Sequence, residues 1–399
     1  MLALLGVRYV EKSWWSPASI LMLLYTSLVS LSPISPYTNV LGLLLLFSLI
    51  LTFSFGSSLV SFAYKRGKEE RYAFIVSKIF IKKINKIYML SIVFSIIGLF
   101  ILIEALNVEF NNFFSLEGII KISHQSAVAR YQENFQTPFL SNILFAFGYF
   151  SAFLAGFFKK ELKNKSFLVF IVFLLYTFIY SSKAAFLLPA IFFISSYFVR
   201  SLLDNGNIEI HIYYILSFFI FLVIVMVIAS YFRYSGKISS LEFIKHMLVY
   251  FIGNVTPFTD WIGNRYDIQH LYFGQYTFRG TFVLFNLADA RAGVYDYFVP
   301  ILNNESSNIH TAFRGLIEDF SLLGAYFIMF ILGVLSKIFY IRISQCKLTY
   351  IAFILPIYSY ILWSPIYSVL AYNSLLLAHL LLVPFFLYLN SKRRYVCVK

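Results

Sequence analysis

Residues 13 to 64 contain no Asp, Glu, Lys or Arg, and the cluster SPISPYTN at 32 to 39 interrupts that run. A hydrocarbon layer about 30 Å thick takes roughly 20 apolar residues of helix to cross, so the run holds two crossings, at 16 to 34 and 39 to 62. Only helices and closed barrels satisfy their backbone in lipid, and continuous apolar runs select helices. The same signal predicts spans at 87 to 106, 139 to 158, 166 to 182, 184 to 200, 211 to 231, 320 to 341, 349 to 366 and 371 to 390. The expected fold class is all-α: a polytopic transmembrane helical bundle of about ten spans, forming a single integral membrane domain over 1 to 399. Composition agrees, with 60% hydrophobic and only 13% charged residues, where soluble domains carry about 25% charged.

An even number of spans places both termini on one side, and the distribution of basic residues tests this. The N-terminus and the segments 64 to 86, 159 to 165, 200 to 211, 337 to 347 and 391 to 399 hold 22 of the 32 Lys and Arg but 6 of the 18 acids. These segments are therefore read as cytoplasmic. The net charge of +14 becomes an orientation signal, and nucleic acid is not expected as a partner. Cys346 and Cys397 both fall in short segments on that side, leaving the outer loop without a disulfide framework. The N-terminal segment lacks a small-residue cleavage site and reads as retained.

Two segments remain outside, 107 to 138 and the large extracytoplasmic loop 231 to 319. In the first, the pattern around Ile119, Ile120, Ile122, Ala127 and Val128 suggests an amphipathic helix ending at Arg130 and Tyr131, with Arg130 either an interfacial anchor or a substrate contact. The second carries Arg233, Arg265, Arg279, Arg291 and Arg314 among Tyr and Phe, including Tyr266, Tyr272, Tyr276, Tyr295 and Tyr297. Guanidinium groups suit phosphate and carboxylate oxygens, and aromatic faces stack on sugars; an ion-pair network and an interfacial belt fit the same residues. The stretches 246 to 259 and 280 to 288 are too short and polar to cross and read as interfacial or re-entrant helices.

A helix over 308 to 320, capped by Ser307 or Asn308, would set His310, Arg314 and Glu318 on one face, with Thr311 and Gly315 beside them. Glu318, not Asp319, is then the partner of Arg314. Glu104, Lys183 and His379 are candidate buried ionisable groups within or beside spans. No HExxH, Asp-x-Asp, Gly-rich phosphate loop or nucleotide fingerprint occurs, so neither a metal site nor a cofactor nor an ATP-driven motor is expected.

The segment SSNIHTAFRGLIEDFSLLG (306 to 324) resembles the end of the large periplasmic loop in the O-antigen polymerase family (Wzy type), through Asn308, Thr311, Arg314, Asp319, Phe320 and Gly324. Ser321 departs from the glycine usual after Asp-Phe. The opening WWSPASILMLLYTSLVSLSPIS, a second span ending at Phe55 and Gly56, and YFGQYTFRG (272 to 280) are similar in layout. The resemblance implies a GT-C-like, metal-independent glycosyltransferase of the bacterial inner membrane, both termini cytoplasmic. It would join undecaprenyl-pyrophosphate-linked oligosaccharide repeat units into O-antigen or capsular-type polysaccharide, for example of lipopolysaccharide, with a separate membrane protein regulating chain length. Arg314 and Arg279 would hold the pyrophosphate, with Arg233, Arg265, Arg291 and Arg130 as further anion contacts and Asn308 and Thr311 near the substrate. Glu318, Asp319 and His310 compete as base or orienting group. An O-antigen ligase shares the donor chemistry; a lipid-linked oligosaccharide flippase would predict internal repeats, which the sequence lacks.

Overall fold

The computed structural model describes residues 2–64, 73–108, 111–112, 115–132, 135, 137–206, 208, 212–233, 240–267, 270–287, 295, 297–302, 305–391 and 395–398. A short helix α1 (Leu2–Glu11) precedes α2 (Pro17–Leu31) and α3 (Val40–Ala63). Both long helices start where the sequence supplies a cap: Ser16 before Pro17, and Asn39, whose side chain accepts the Gly42 N–H at 3.1 Å. Strand β1 (Ala73–Val76) leads into α4 (Lys78–Ala105), followed by α5 (Leu116–Gln132), α6 (Phe139–Phe157), α7 (Lys159–Leu162), α8 (Leu168–Tyr180) and α9 (Ala184–Asn205). The tight turn between α8 and α9 closes on Ser181 in the left-handed region, φ 52°.

The second half begins with α10 (Ile212–Arg233), α11 (Ser240–Ile252), α12 (Val255–Asp260) and α13 (Arg279–Leu284), then the hairpin β2 (Val299–Leu302) and β3 (Glu305–Ser307). It ends with α14 (Thr311–Ser344), α15 (Ile351–Trp363), α16 (Asn373–Ser391) and β4 (Tyr395–Val398). Among the described residues, eight helices are long and apolar enough to cross a membrane, and two shorter apolar stretches, Phe219–Arg233 and Leu348–Trp363, lie where the seventh and ninth spans were expected. The chain is a multi-pass helical membrane protein.

The close pairing of α3 with α14 organises the bundle. A Cβ at Gly56 would come within 2.3 Å of the Phe330 carbonyl oxygen, and one at Gly333 within 2.0 Å of that of Phe53. Without hydrophobic attraction between helices in lipid, such close backbone approach is what van der Waals packing requires. Described parts of the basic segments meet at one end of this bundle. There β1 pairs antiparallel with β4. Arg200 binds Glu161 at 2.9 Å, Asp204 at 2.9 Å and the Phe157 carbonyl at 3.1 Å, and Lys337 meets Glu11 at 2.6 Å with both side chains buried.

One expectation is corrected here. Glu104 is exposed, whereas Lys183 and His379 are buried as expected. The amphipathic helix expected before Arg130 is α5, which packs against α8 and α10 with Ile122, Ser123, Ser126 and Ala127 turned inward. Of the two readings of 246 to 259, interfacial or re-entrant, burial of residues 252 to 259 with α12 against α3 fits the second. Cys346 is disulfide-bonded, at the end remote from the large loop.

Candidate functional site

The expected helix at the end of the large loop begins at Thr311, not at 308. Neither Ser307 nor Asn308 caps it, since Ser307 Oγ accepts the Ile309 N–H at 3.2 Å and Asn308 Nδ2 donates to the Tyr295 carbonyl at 3.0 Å. Thr311 starts the helix with φ 59° and is fully buried, a rare conformation for a β-branched residue. Ten residues later the helix breaks. Ser321 has φ 66° and ψ 171°, a region populated almost only by glycine. The serine at the position where the resembled motif has glycine is therefore held in glycine-like backbone geometry. Its hydroxyl accepts the Gly324 N–H at 3.3 Å and so caps the spanning part of α14.

The break leaves carbonyls at the end of the first helical piece without intrahelical partners. The segment 272 to 277 supplies them. Tyr272 N–H donates to the Glu318 carbonyl at 3.2 Å and Phe273 N–H to that of Asp319 at 3.1 Å. The Asp319 carboxylate then accepts the N–H of Tyr276 at 3.0 Å and of Thr277 at 2.6 Å. Gly274, at φ 96°, permits the turn. From the far side, Tyr367 Oη donates to the Tyr276 carbonyl at 2.8 Å and Ser368 Oγ to that of Thr277 at 2.7 Å. Two motifs about 40 residues apart in the chain thus form one unit.

Arg314 stands at its centre. Nε contacts Glu318 Oε1 at 3.0 Å and one terminal nitrogen contacts His310 Nε2 at 3.1 Å, so the three residues do share a face. The guanidinium carbon lies 3.7 Å from the Tyr295 ring centre and 4.9 Å from that of Trp261, and Tyr295 stacks on Tyr276 at 5.5 Å. Arg314 can only donate to His310 Nε2, while the Tyr297 carbonyl 3.4 Å from the same nitrogen can only accept. Burial, reinforced by Arg314, lowers the His310 pKa to about 3. Burial also raises the Tyr276 hydroxyl to about 12. Glu318 Oε2 is buried beside Tyr295 and makes no hydrogen bond of regular geometry.

The remaining residues sort into three groups. Arg279 opens α13, half-buried, within electrostatic reach of Tyr276, Tyr367 and Tyr372. Arg265 pairs with Asp260 at 3.6 Å and covers the Tyr297 ring at 3.7 Å; the Tyr297 carbonyl lies 3.4 Å from His310 Nε2. Arg130 and Arg233 are placed elsewhere, at the turn between α8 and α9. Arg130 donates to the carbonyls of Tyr180 at 2.8 Å and Ser181 at 3.2 Å, and Arg233 donates to the Ser181 carbonyl and hydroxyl. Arg291 lies outside the described residues.

Compared with known proteins, the chain matches no family model, no curated protein and no solved structure.

Trp261 and Tyr367 were not singled out from sequence. Trp261 sits in an apolar stretch that reads as packing, and Tyr367 belongs to WSPIYSV, a short connection between spans without charged residues. Of the competing carboxylates, Asp319 is committed to two backbone N–H groups, and His310 is neutral with Nε2 engaged by Arg314. Glu318 has one oxygen bound by Arg314 and the other facing the Tyr295 side chain. Among the described residues no group of three or more His, Cys, Asp or Glu is placed to hold a metal ion.

Proposed function

We propose that the protein is a membrane glycosyltransferase that polymerises oligosaccharide repeat units carried on undecaprenyl pyrophosphate. The observation that carries this reading is the Arg314 cluster. A guanidinium is fixed between a carboxylate, a neutral imidazole and two aromatic rings, at the bundle end opposite the basic segments. In this reading the two short apolar stretches complete ten spans, the basic end is cytoplasmic, and the cluster faces outward in the bacterial inner membrane.

The chemistry follows from the parts. The acceptor hydroxyl attacks the anomeric carbon of the donor chain, the bond from that carbon to the pyrophosphate oxygen breaks, and the pyrophosphate leaves with the electron pair. Negative charge grows on the leaving group, where preorganised guanidinium donors of Arg314 and Arg279 stabilise it most. Glu318 Oε2 takes the hydroxyl proton. Tyr276, only partly buried, offers ring surface for sugar, and Arg265 adds positive charge nearby. A ligase would use the same donor with another acceptor.

The test is complementation of a polymerase-deleted host with Arg314→Ala and Arg279→Ala, read as the surface glycan ladder on a gel with insertion checked by immunoblot. Loss of the ladder in both, with partial return for Arg314→Lys, supports the reading, because lysine keeps the charge without the bidentate fork. Full ladders from both alanine variants overturn it. Purified protein given one lipid-linked repeat unit should lengthen it; reaction only on adding a different acceptor would mean a ligase.

A further inference from the structure

An open cleft of about 390 Å³, its mouth included, lies at the basic end of the bundle, where α6 runs into α7 beside the last turns of α9. Lys159, Lys160, Tyr197, Arg200, Asp204 and Asn205 line it. Its wall at Gly156 is tight, because the missing side chain lets α6 meet the Phe193 carbonyl of α9 directly.

The charges around the cleft do not cancel. Arg200 directs Nε to Asp204 and its terminal nitrogens to Glu161 and to the carbonyls of Phe157 and Phe74. Asp204 takes Lys160 on its other oxygen at 2.6 Å. Two cations thus match the two carboxylates, and Lys159 is a third. Among the described residues Lys159 meets no oxygen acceptor. Its Nζ stands instead 5.1 Å from the centre of the Tyr197 ring, 5.8 Å from that of Phe167 and 6.0 Å from that of Phe193. Ring faces attract an ammonium but leave its three N–H groups without strong acceptors. The half-buried lysine is therefore held at the cleft with donors free for a ligand. Lys163 and Lys165, both exposed, follow closely in the chain and add charge of the same sign.

An apolar surface begins beside this charge. Phe167, whose ring neighbours Lys159, is 47% exposed, and Ile171 and Leu175 are 57% and 48% exposed. Spacing of four residues sets the three on one face of α8, within a stretch long and apolar enough to cross a membrane, Lys159–Tyr180. A phosphate carrying a hydrocarbon tail fits both surfaces, whereas a soluble phosphate uses only the first.

We propose that this cleft binds the phosphate of an anionic phospholipid, with Lys159 and Lys160 donating to its oxygens and an acyl chain lying along Phe167, Ile171 and Leu175. The phosphate gives Lys159 its acceptors through charge-assisted hydrogen bonds. In the orientation read from the basic residues this is the cytoplasmic leaflet, whose anionic lipids favour such a site. It does not rest on the polymerase reading, since no Arg314 cluster residue takes part.

The experiment is native mass spectrometry of the full-length protein in detergent, titrated with dioleoyl phosphatidylglycerol or dioleoyl phosphatidylcholine, with glycerol 3-phosphate as soluble competitor. Wild type should show one phosphatidylglycerol site tighter than any for phosphatidylcholine. Lys159→Gln should weaken it about tenfold, the loss of one charge-assisted hydrogen bond, and Lys159→Arg should keep it. Lys12→Gln removes the same charge from an exposed position at the same end and should leave the site unchanged; an equal loss there would mean a diffuse basic surface and overturn the proposal. Phe167→Ala should also weaken the lipid, which keeps the proposal open to refutation should Lys159→Gln fail to insert. Arg314→Ala should bind the lipid as wild type does, which separates this result from the fate of the polymerase reading. Displacement of the lipid by an equal concentration of glycerol 3-phosphate would assign the cleft to a soluble phosphate instead and overturn the lipid. Equal phosphatidylglycerol affinity in wild type, Lys159→Gln and Phe167→Ala would overturn the site itself.

Discussion

The Arg314 guanidinium lies 3.7 Å from the centre of the Tyr295 ring, closer than to that of Trp261 at 4.9 Å. A cation so placed on a partly desolvated ring gains roughly 1–2 kcal/mol. Tyr295→Phe keeps the ring and should retain most of the glycan ladder. Tyr295→Leu removes it and should cut polymer output about tenfold, a factor that corresponds to about 1.4 kcal/mol. Comparable ladders from the two variants would show that the hydroxyl or simple bulk matters more than the ring.

Asp319 accepts two backbone N–H groups at 3.0 and 2.6 Å while fully buried. Asparagine offers one acceptor and turns its amide hydrogens toward the second donor. Asp319→Asn should therefore destabilise the protein by about 2–3 kcal/mol and release segment 272 to 280, seen as earlier thermal unfolding and faster hydrogen exchange there. Unchanged exchange in that segment would refute the clamp.

The strain at Ser321 gives a prediction of opposite sign. Serine at φ 66°, ψ 171° costs about 1–3 kcal/mol, while its cap to Gly324 is worth about 1 kcal/mol over alanine and only a few tenths over glycine. Ser321→Gly should raise the melting temperature, and Ser321→Ala should lower it. A fall for both would mean that the cap outweighs the strain.

His310 links the site to pH. Its folded-state pKa of about 3 is below the ordinary 6.5, so between those values the unfolded chain binds the extra proton. The stabilising contribution of neutral His310 is complete above about pH 6.5 and is lost progressively as pH falls toward 3. His310→Gln should flatten the fall in melting temperature across pH 6.5 to 4.5. A parallel curve for wild type and variant would count against a neutral, buried imidazole.

At the other end of α14, Lys337 and Glu11 form a buried pair at 2.6 Å, and Ser57 Oγ donates to the same carboxylate at 2.7 Å. Removing one partner strands a buried charge, so Lys337→Met and Glu11→Gln should each cost about 3–5 kcal/mol. The double substitution should recover most of that loss, which a double-mutant cycle in detergent would measure.

The bundle was legible because lipid leaves the backbone few options: long apolar runs become helices, and the caps at Ser16 and Asn39 mark where they start. The His310, Arg314 and Glu318 face was legible for a similar reason, since spacing of four residues is local information. What escaped depends on contacts between distant segments. The helix start moved from 308 to 311 because the Asn308 side chain is drawn to Tyr295 and the Ser307 hydroxyl to Ile309. Asp319 read as a possible base until the backbone of Tyr276 and Thr277 was seen to occupy it. Arg200, counted in a basic loop, is 5% exposed and bound by two acids. Arg130 and Arg233 were grouped with Arg314 by residue type, and packing separates them.

The peptide groups of Tyr276 and Thr277 are held on both sides, by Asp319 at their N–H groups and by Tyr367 and Ser368 at their carbonyls. All four bonds address main chain, so the grip is blind to which side chains those two positions carry. The frame therefore survives a change of side chain at Tyr276, whose ring only adds its stacking on Tyr295, while Thr277 is fixed by burial as well.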